Sequence, residues 1–330
     1  MRDVFDLAPK VELHLHLEGA IPLLALWELV EGYGDPEVRT LDDLAARFEY
    51  RDFPHFIEAW TWMTGFIRTD RDFIAAAQAV ARTLVEQNVA YAEASISPSD
   101  FARHGLTVGE IATAVRSGLD RVNAVEVGLI VDLVRHTGPE RCMSTLEQVI
   151  EVADEAGVVG ITIGGLEQQF PAELFADVYH RADVAGLGLT AHAGEAAGPG
   201  SVWSALNDLG VSRVGHGVRS VEDPSLVAYL VEHQIPLEMC PTSNLRTGVV
   251  ESWDRHPVVE LIERGARVTI NSDDPVFFDC SVAGDMRKVA DYVDLDVELH
   301  TLYAIDASWM SDDKKARTRT EVSHWWNSRA

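Results

Sequence analysis

Two histidines stand two positions apart in Pro9-Lys10-Val11-Glu12-Leu13-His14-Leu15-His16-Leu17-Glu18-Gly19-Ala20. In an extended strand, side chains two apart share a face, so both imidazoles project together while Leu13, Leu15 and Leu17 pack on the other side. A pair of imidazoles held that way suits a zinc-like cation. Four later segments carry comparable groups: Thr190-Ala191-His192-Ala193-Gly194-Glu195, Gly215-His216-Gly217, Met239-Cys240-Pro241-Thr242-Ser243-Asn244 and Asn271-Ser272-Asp273-Asp274-Pro275. Each has a plainer explanation when taken singly: a strand-end histidine is often just hydrogen-bonded, and Asp-Asp-Pro reads as a turn. Glu195 alone reads as a neighbour of a helix start. Together they make a metal site. His14, His16, His192 and Asp273 supply three imidazoles and a carboxylate, and zinc with such ligands keeps a position for water, whose pKa it lowers. Glu195, three residues past His192, is placed to shuttle a proton. His216 is placed to orient or deprotonate the water. Asp274 diverges from Asp273 and so faces substrate rather than metal.

These residues need elements that bring them together. Short β-rich runs at 11–17, 89–97, 125–133, 158–164, 187–193, 213–216, 236–240 and 267–272 alternate with Ala- and Leu-rich amphipathic stretches at 72–88, 107–123, 142–156, 172–186, 201–210, 224–234 and 256–265. Strands alternating with helices, with no Ser/Pro-rich linker, predict an α/β fold: one (β/α)8 TIM-type barrel domain over residues 1–330. A doubly wound sheet is the alternative, weakened because no GxGxxG opens a helix after an early strand. The barrel makes a demand that the chemistry meets, since barrel active sites gather at the C-terminal ends of the strands.

Composition narrows the partners. Against 27 Lys and Arg stand 53 Asp and Glu, a net charge of −26, which disfavours nucleic acid and anionic membranes. The three cysteines, Cys142, Cys240 and Cys280, show no CxxC spacing and argue against a disulfide framework. The N-terminus has no apolar core of a signal peptide and no later run reaches membrane-spanning length, so we expect a cytoplasmic protein acting on a small molecule. Oligomeric state is not legible.

In order along residues 8–310, PKVELHLHLEGA, AHAGE, GHG, EMCPTSN and NSDDP closely resemble the adenosine deaminase family of the amidohydrolase superfamily. The resemblance implies a mononuclear zinc barrel, one Zn2+ per chain, that adds water to C6 of a purine and releases ammonia. It implies His14, His16, His192 and Asp273 as zinc ligands, Glu195 as the acid that protonates N1, and His216 as the group that activates the attacking water. It further implies Asp274 as the carboxyl that meets N7 and Gly165 as the glycine whose N–H meets N3, with His16 and Glu18 among the substrate contacts. Strand four, Gly160-Ile161-Thr162-Ile163-Gly164-Gly165, lacks the lysine with which two-metal relatives bridge their ions, so a single metal is expected. The cytidine-type zinc deaminases use HxE and PCxxC, and no second cysteine follows Cys240 at that spacing. Three histidines and a carboxylate also accept Fe2+ or Co2+.

The aromatic segment 47–60 follows strand one and resembles the family's hydrophobic lid, with Phe53, Phe56, Ile57 and Trp60 facing substrate; its plainer reading is an amphipathic helix packed on the barrel. Three positions depart from the family pattern. Glu18 stands where Asp usually meets the ribose 5′-hydroxyl, Leu166 where Asp is common, and Ser95 where Arg is usual. All three concern substrate rather than chemistry. Adenosine or 2′-deoxyadenosine is the first expectation. Free adenine or a 5′-modified adenosine (methylthioadenosine, aminodeoxyfutalosine) is the alternative. A different mononuclear metallo-amidohydrolase and a silent nucleoside-binding barrel are more distant. Residues 311–330 read as a final helix with two anchoring tryptophans.

Overall fold

Among the described residues, nine parallel strands form the inner wall: β1 (Lys10–His16), β2 (Val89–Ile96), β3 (Glu126–Asp132), β4 (Val158–Thr162), β5 (Gly188–Leu189), β6 (His192–Ala193), β7 (Val214–His216), β8 (Leu237–Met239) and β9 (Val268–Ile270). In this computed structural model, residues 3–49 and 53–329 are described, with Phe53 and Pro54 described by backbone alone. The order is β1-β2-β3-β4-β5 and β6-β7-β8-β9, every pairing parallel. Strand five of the expected eight is present as β5 and β6. Its backbone still bonds to both neighbours, Thr190 N to Ile161 O at 3.1 Å and Gly215 N to Ala191 O at 2.9 Å, so the wall is continuous there. The circle closes where Leu15 bridges Asp273, through His16 N to Asp273 O at 2.8 Å and Asp273 N to His14 O at 3.1 Å. Closure therefore places a metal-ligand candidate of the last strand directly beside two on the first.

The helices between strands fall where the amphipathic stretches predict them, including Asp70–Glu86, Val108–Leu119, Pro139–Ala156 and Pro224–Glu232. Their starts are written locally. Thr69 and Asp72 bond reciprocally across the first turn of one, and Thr107 and Glu110 across another, each satisfying two N–H groups that a helix start leaves open. Helices at Leu23–Tyr33, Leu41–Ala46 and Phe53–Thr64 fill the long connection after β1, and the C-terminal part adds Val282–Ala290, Val297–Ala307 and Asp312–Asn327.

Parallel barrel strands are buried on both faces, and β1 is buried at all seven positions. The inside is not wholly apolar. The Arg213 guanidinium, fully buried just before β7, is clamped by Glu93 on β2 and Glu238 on β8. The indole of Trp309 lies over that guanidinium at 3.6 Å, and its backbone N–H donates to Glu93 at 2.6 Å. A Cβ on Gly160 or Gly188 would fall 2.2 or 2.1 Å from the Trp309 ring. These two glycines on adjacent strands therefore make the slot that admits the indole.

Candidate metal and catalytic centre

The C-terminal ends of β1, β6 and β9 deliver four ligand-type atoms to one point: nitrogens of His14, His16 and His192 and an oxygen of Asp273, all within 4.8 Å of one another. His14 Nε2 and His16 Nε2 lie 3.1 and 3.3 Å from His192 Nε2, and 3.4 and 3.2 Å from Asp273 Oδ1. A tetrahedral zinc with bonds of roughly 2.0–2.1 Å spaces its ligands about 3.3 Å apart, so the spacing fits one ion. The far side of each ring is already engaged. His14 Nδ1 meets Glu238 Oε2 at 2.8 Å, His16 Nδ1 meets Ser95 Oγ at 2.9 Å, and His192 Nδ1 meets Thr162 Oγ1 at 3.3 Å. Such outer contacts fix ring orientation and leave Nε2 free to ligate. Asp273 is steadied by Ser243 Oγ, which donates to Oδ2 at 2.6 Å.

Electrostatics set the protonation states. Burial works against charge on His14, but the Asp273 and Glu238 carboxylates beside it outweigh burial and raise its pKa to about 9. Asp273 goes the other way: burial alone would raise it, and the surrounding imidazoles hold it well below the usual range. Positive charge is wanted at this point, which a cation satisfies by displacing the protons.

Around the quartet lie groups that can hold or pass a proton. Glu195 Oε2 is 3.7 Å from His216 Nε2, and its side chain is 21% exposed, through the cavity. Burial, then the charges of Asp273 and Glu167, push its pKa up to about 8. Burial lowers His216 to about 3, so its ring is neutral, and Asn244 Nδ2 holds its Nδ1 at 3.1 Å. Asp274 rises for the same reason of burial, aggravated by Asp273. His216 and Asp273 both have left-handed backbones, φ +58° and +65°. Strain of this kind concentrates where side chains must be aimed.

A cavity of about 380 Å3 opens over the centre. His16, His192, His216, Glu195, Asp273 and Asp274 line it, as do Gly165, Phe56, Ile57 and Trp60. Phe56 and Trp60 lie on the helix Phe53–Thr64, and the Trp60 ring stands edge-on over His16 with centroids 6.4 Å apart. The side chain of Phe53 falls outside the described residues. Glu18 is the exception among the expected substrate contacts. It does not line the cavity, because its longer side chain reaches across to accept the Ser97 N–H at 2.9 Å.

Several functional residues escape sequence reasoning. Glu238, Ser243 and Asn244 hold the side chains of the centre, and all three lie within the EMCPTSN motif. Glu167 accepts the N–H of Gly194 at 2.7 Å through one oxygen and those of Ala196 and Ala197 at 2.7 and 2.8 Å through the other, which pins the turn carrying Glu195. The signal for Glu238 is a charged residue inside an otherwise apolar strand, which must be paired to be buried.

A parallel barrel with three imidazoles and a carboxylate at its strand ends, an acid and a neutral imidazole beside them, defines a metal-dependent hydrolase. Residues 9–325 match the family described as Adenosine deaminase, and the chain belongs to that family, whose members here are hydrolytic deaminases of adenine-containing compounds. It is 36% identical over 323 residues to an aminodeoxyfutalosine deaminase of Streptomyces avermitilis, covering 95% of this chain and 90% of that one. It is 35% identical over 329 residues to an adenosine deaminase of Shewanella denitrificans, covering 93% and 96%. Among solved structures, the adenine deaminase of Arthrobacter aurescens superposes with a TM-score of 0.89 at 29% identity, covering 97% of this chain and 99% of that one. An amidohydrolase of Burkholderia ambifaria with bound zinc also gives 0.89, at 25% identity with 98% and 92% covered. Among the described residues, no helix is long and apolar enough to cross a membrane.

Proposed function

We propose that this protein hydrolyses the 6-amino group of a purine nucleoside, converting adenosine or 2′-deoxyadenosine to inosine or 2′-deoxyinosine with release of ammonia. The observation that carries this reading is the meeting, in one cavity, of a single-metal quartet with the side chains of Glu195, Asp274 and His216. His14, His16, His192 and Asp273 would hold one Zn2+. When bound, the metal supplies Lewis acidity that makes water a nucleophile near neutral pH. The chain supplies the rest. A neutral heteroaromatic ring resists attack until a ring nitrogen gains a proton, and Glu195, an acid at neutral pH, delivers it to N1. His216, neutral and fixed through Nδ1, accepts the proton that the attacking water sheds. Asp274, kept protonated by burial, donates to N7, and the Gly165 N–H meets N3. Trp60, Phe56 and Ile57 cover the ring and exclude bulk water, which strengthens every charge interaction beneath them.

A second reading, free adenine or a 5′-modified adenosine as substrate, is favoured by relatives of both kinds at similar identity. Ammonia release from the zinc-loaded protein, measured with adenosine, 2′-deoxyadenosine, adenine, methylthioadenosine and aminodeoxyfutalosine, decides between them. Glu195→Gln should retain metal and lose turnover by at least about a thousandfold; retained turnover would remove Glu195 from its role. A carboxylic acid product with no ammonia would indicate a different amidohydrolase.

A further inference from the structure

The cavity has a second polar end that the ring chemistry leaves unused. Its wall carries Ser97, Asp100 and Asp132, contributed by the segments at the ends of β2 and β3. Asp132 is the last residue of β3. Its Oδ1 accepts the N–H groups of Val134 and Gly164, both at 2.8 Å, which fixes the carboxylate in place. Among the described residues, its Oδ2 meets only the Ser97 hydroxyl, at 3.5 Å, the outer limit of a hydrogen bond. A Cβ on Gly164 would lie 2.8 Å from that oxygen and 3.6 Å from His192 Cε1, so the oxygen and a ring of the metal quartet flank one glycine. Val134 has φ +53°, a conformation that a β-branched residue holds only under constraint, and Asp132 supplies that constraint.

The neighbouring carboxylate is similarly half-used. Asp100 Oδ2 accepts the Trp60 indole N–H at 2.9 Å, which ties it to the aromatic helix and leaves Oδ1. Glu18 holds the backbone of Ser97 and so aims its hydroxyl into the same wall. Arg103 and His136 line this end of the cavity as well. Arg103 is exposed and donates to Thr61 O at 3.1 Å and Thr64 Oγ1 at 2.8 Å, a strap between the helix and the segment after β2. What remains is acceptor capacity. Carboxylate oxygens seek donors such as hydroxyls, and two carboxylates in one wall repel an incoming anion.

We propose that Asp100 and Asp132 bind the sugar hydroxyls of the substrate, so that the site selects a neutral purine nucleoside over the free base and over nucleosides with an anionic 5′ group. The proposal rests on the purine deaminase reading above. It gives this chain its own sugar-binding wall, with Glu18 acting through Ser97 rather than on substrate.

The test compares Asp132→Asn and Asp100→Asn with the parent protein, all zinc-loaded, on adenosine, 2′,3′-dideoxyadenosine, adenine and adenosine 5′-monophosphate. Asn at 132 keeps an oxygen for the two backbone N–H groups, and circular dichroism checks that both variants are folded. The expected result is a KM for adenosine raised about tenfold or more with kcat within a few-fold, reflecting the loss of a charged acceptor. Discrimination against the monophosphate should relax, and the loss on adenosine should exceed the loss on adenine by at least about tenfold, with the dideoxynucleoside, which keeps only its 5′-hydroxyl, between them. Equal losses on adenine and adenosine, or adenine preferred by the parent, would overturn the proposal. Calorimetric binding of inosine and hypoxanthine runs alongside and needs no turnover. Inosine held at least about tenfold more tightly, with the difference lost in Asp132→Asn, supports the wall; equal binding overturns it. Silence in the ammonia assay would sink the deaminase reading alone, and binding would still decide this one.

Discussion

Glu167→Gln is nearly the same shape as the parent side chain, yet the structure predicts that it behaves like a deletion. Glu167 is 3% exposed and serves three backbone donors with two oxygens. Glutamine has one acceptor oxygen and an NH2 that only donates. Turned one way, it presents NH2 to the Gly194 N–H; flipped, it presents NH2 to Ala196 and Ala197 together. Either orientation sets donor against donor in a buried place. A hydrogen bond to a charged acceptor contributes about 1.5–3 kcal/mol, and stranding a buried donor costs a similar amount, so the better orientation should cost about 2–4 kcal/mol. For a chain of this size that lowers Tm by roughly 3–6 °C. Because the turn carries Glu195, a shift of about 1 Å should also reduce kcat by roughly a hundredfold. The metal quartet lies outside the turn, so zinc content should be unchanged. Calorimetry, metal analysis and steady-state kinetics on one preparation test all three. A glutamine variant with the parent's Tm and kcat would show that the Glu195 turn is held by something other than Glu167.

Two further outcomes follow from buried charge elsewhere. Arg213→Met strands Glu93 and Glu238 without their cation, which should cost about 3–5 kcal/mol. Because Glu238 also orients His14, zinc should be lost faster to a chelator, and unchanged metal retention would detach the ion pair from the centre. Asp285 is buried, and burial raises its pKa from 3.8 to about 7. The folded state therefore holds this proton more tightly than the unfolded chain, and its contribution to stability falls as pH rises from about 4 to 7, then levels. Asp285→Asn removes that decline, so variant minus parent should climb over the window by on the order of 4 kcal/mol. Urea denaturation at both ends of the window checks it; a flat difference would refute the reading.

The strand–helix alternation and the candidate ligand positions are legible because both are local signals. HLH on an apolar strand and acids at strand ends mark their own places, and closure of the circle then brings β1 and β9 together. What was not legible depends on contacts far apart in the chain. Glu93, Arg213 and Glu238 look like ordinary charges until the barrel interior joins them. Asp132 sits at a strand end, where barrel chemistry is expected, but lacks a motif around it. Glu18 has a role that its position alone does not show: one carboxylate oxygen accepts the Ser97 N–H at the end of β2. The helices Leu23–Tyr33, Leu41–Ala46, Val282–Ala290 and Val297–Ala307 belong to no strand–helix alternation, and their short amphipathic runs carry less signal than the repeat.

The Trp309 slot bears on how the protein is made on the ribosome. All nine strands have been synthesised by Ile270, but the indole that roofs Arg213 comes from a segment added later. Until Trp309 clears the exit tunnel, the slot between Gly160 and Gly188 lacks the indole that covers the guanidinium. A chain that stops between Asp273 and Trp309 carries all four candidate metal ligands but lacks both that cover and the Trp309 N–H that Glu93 accepts.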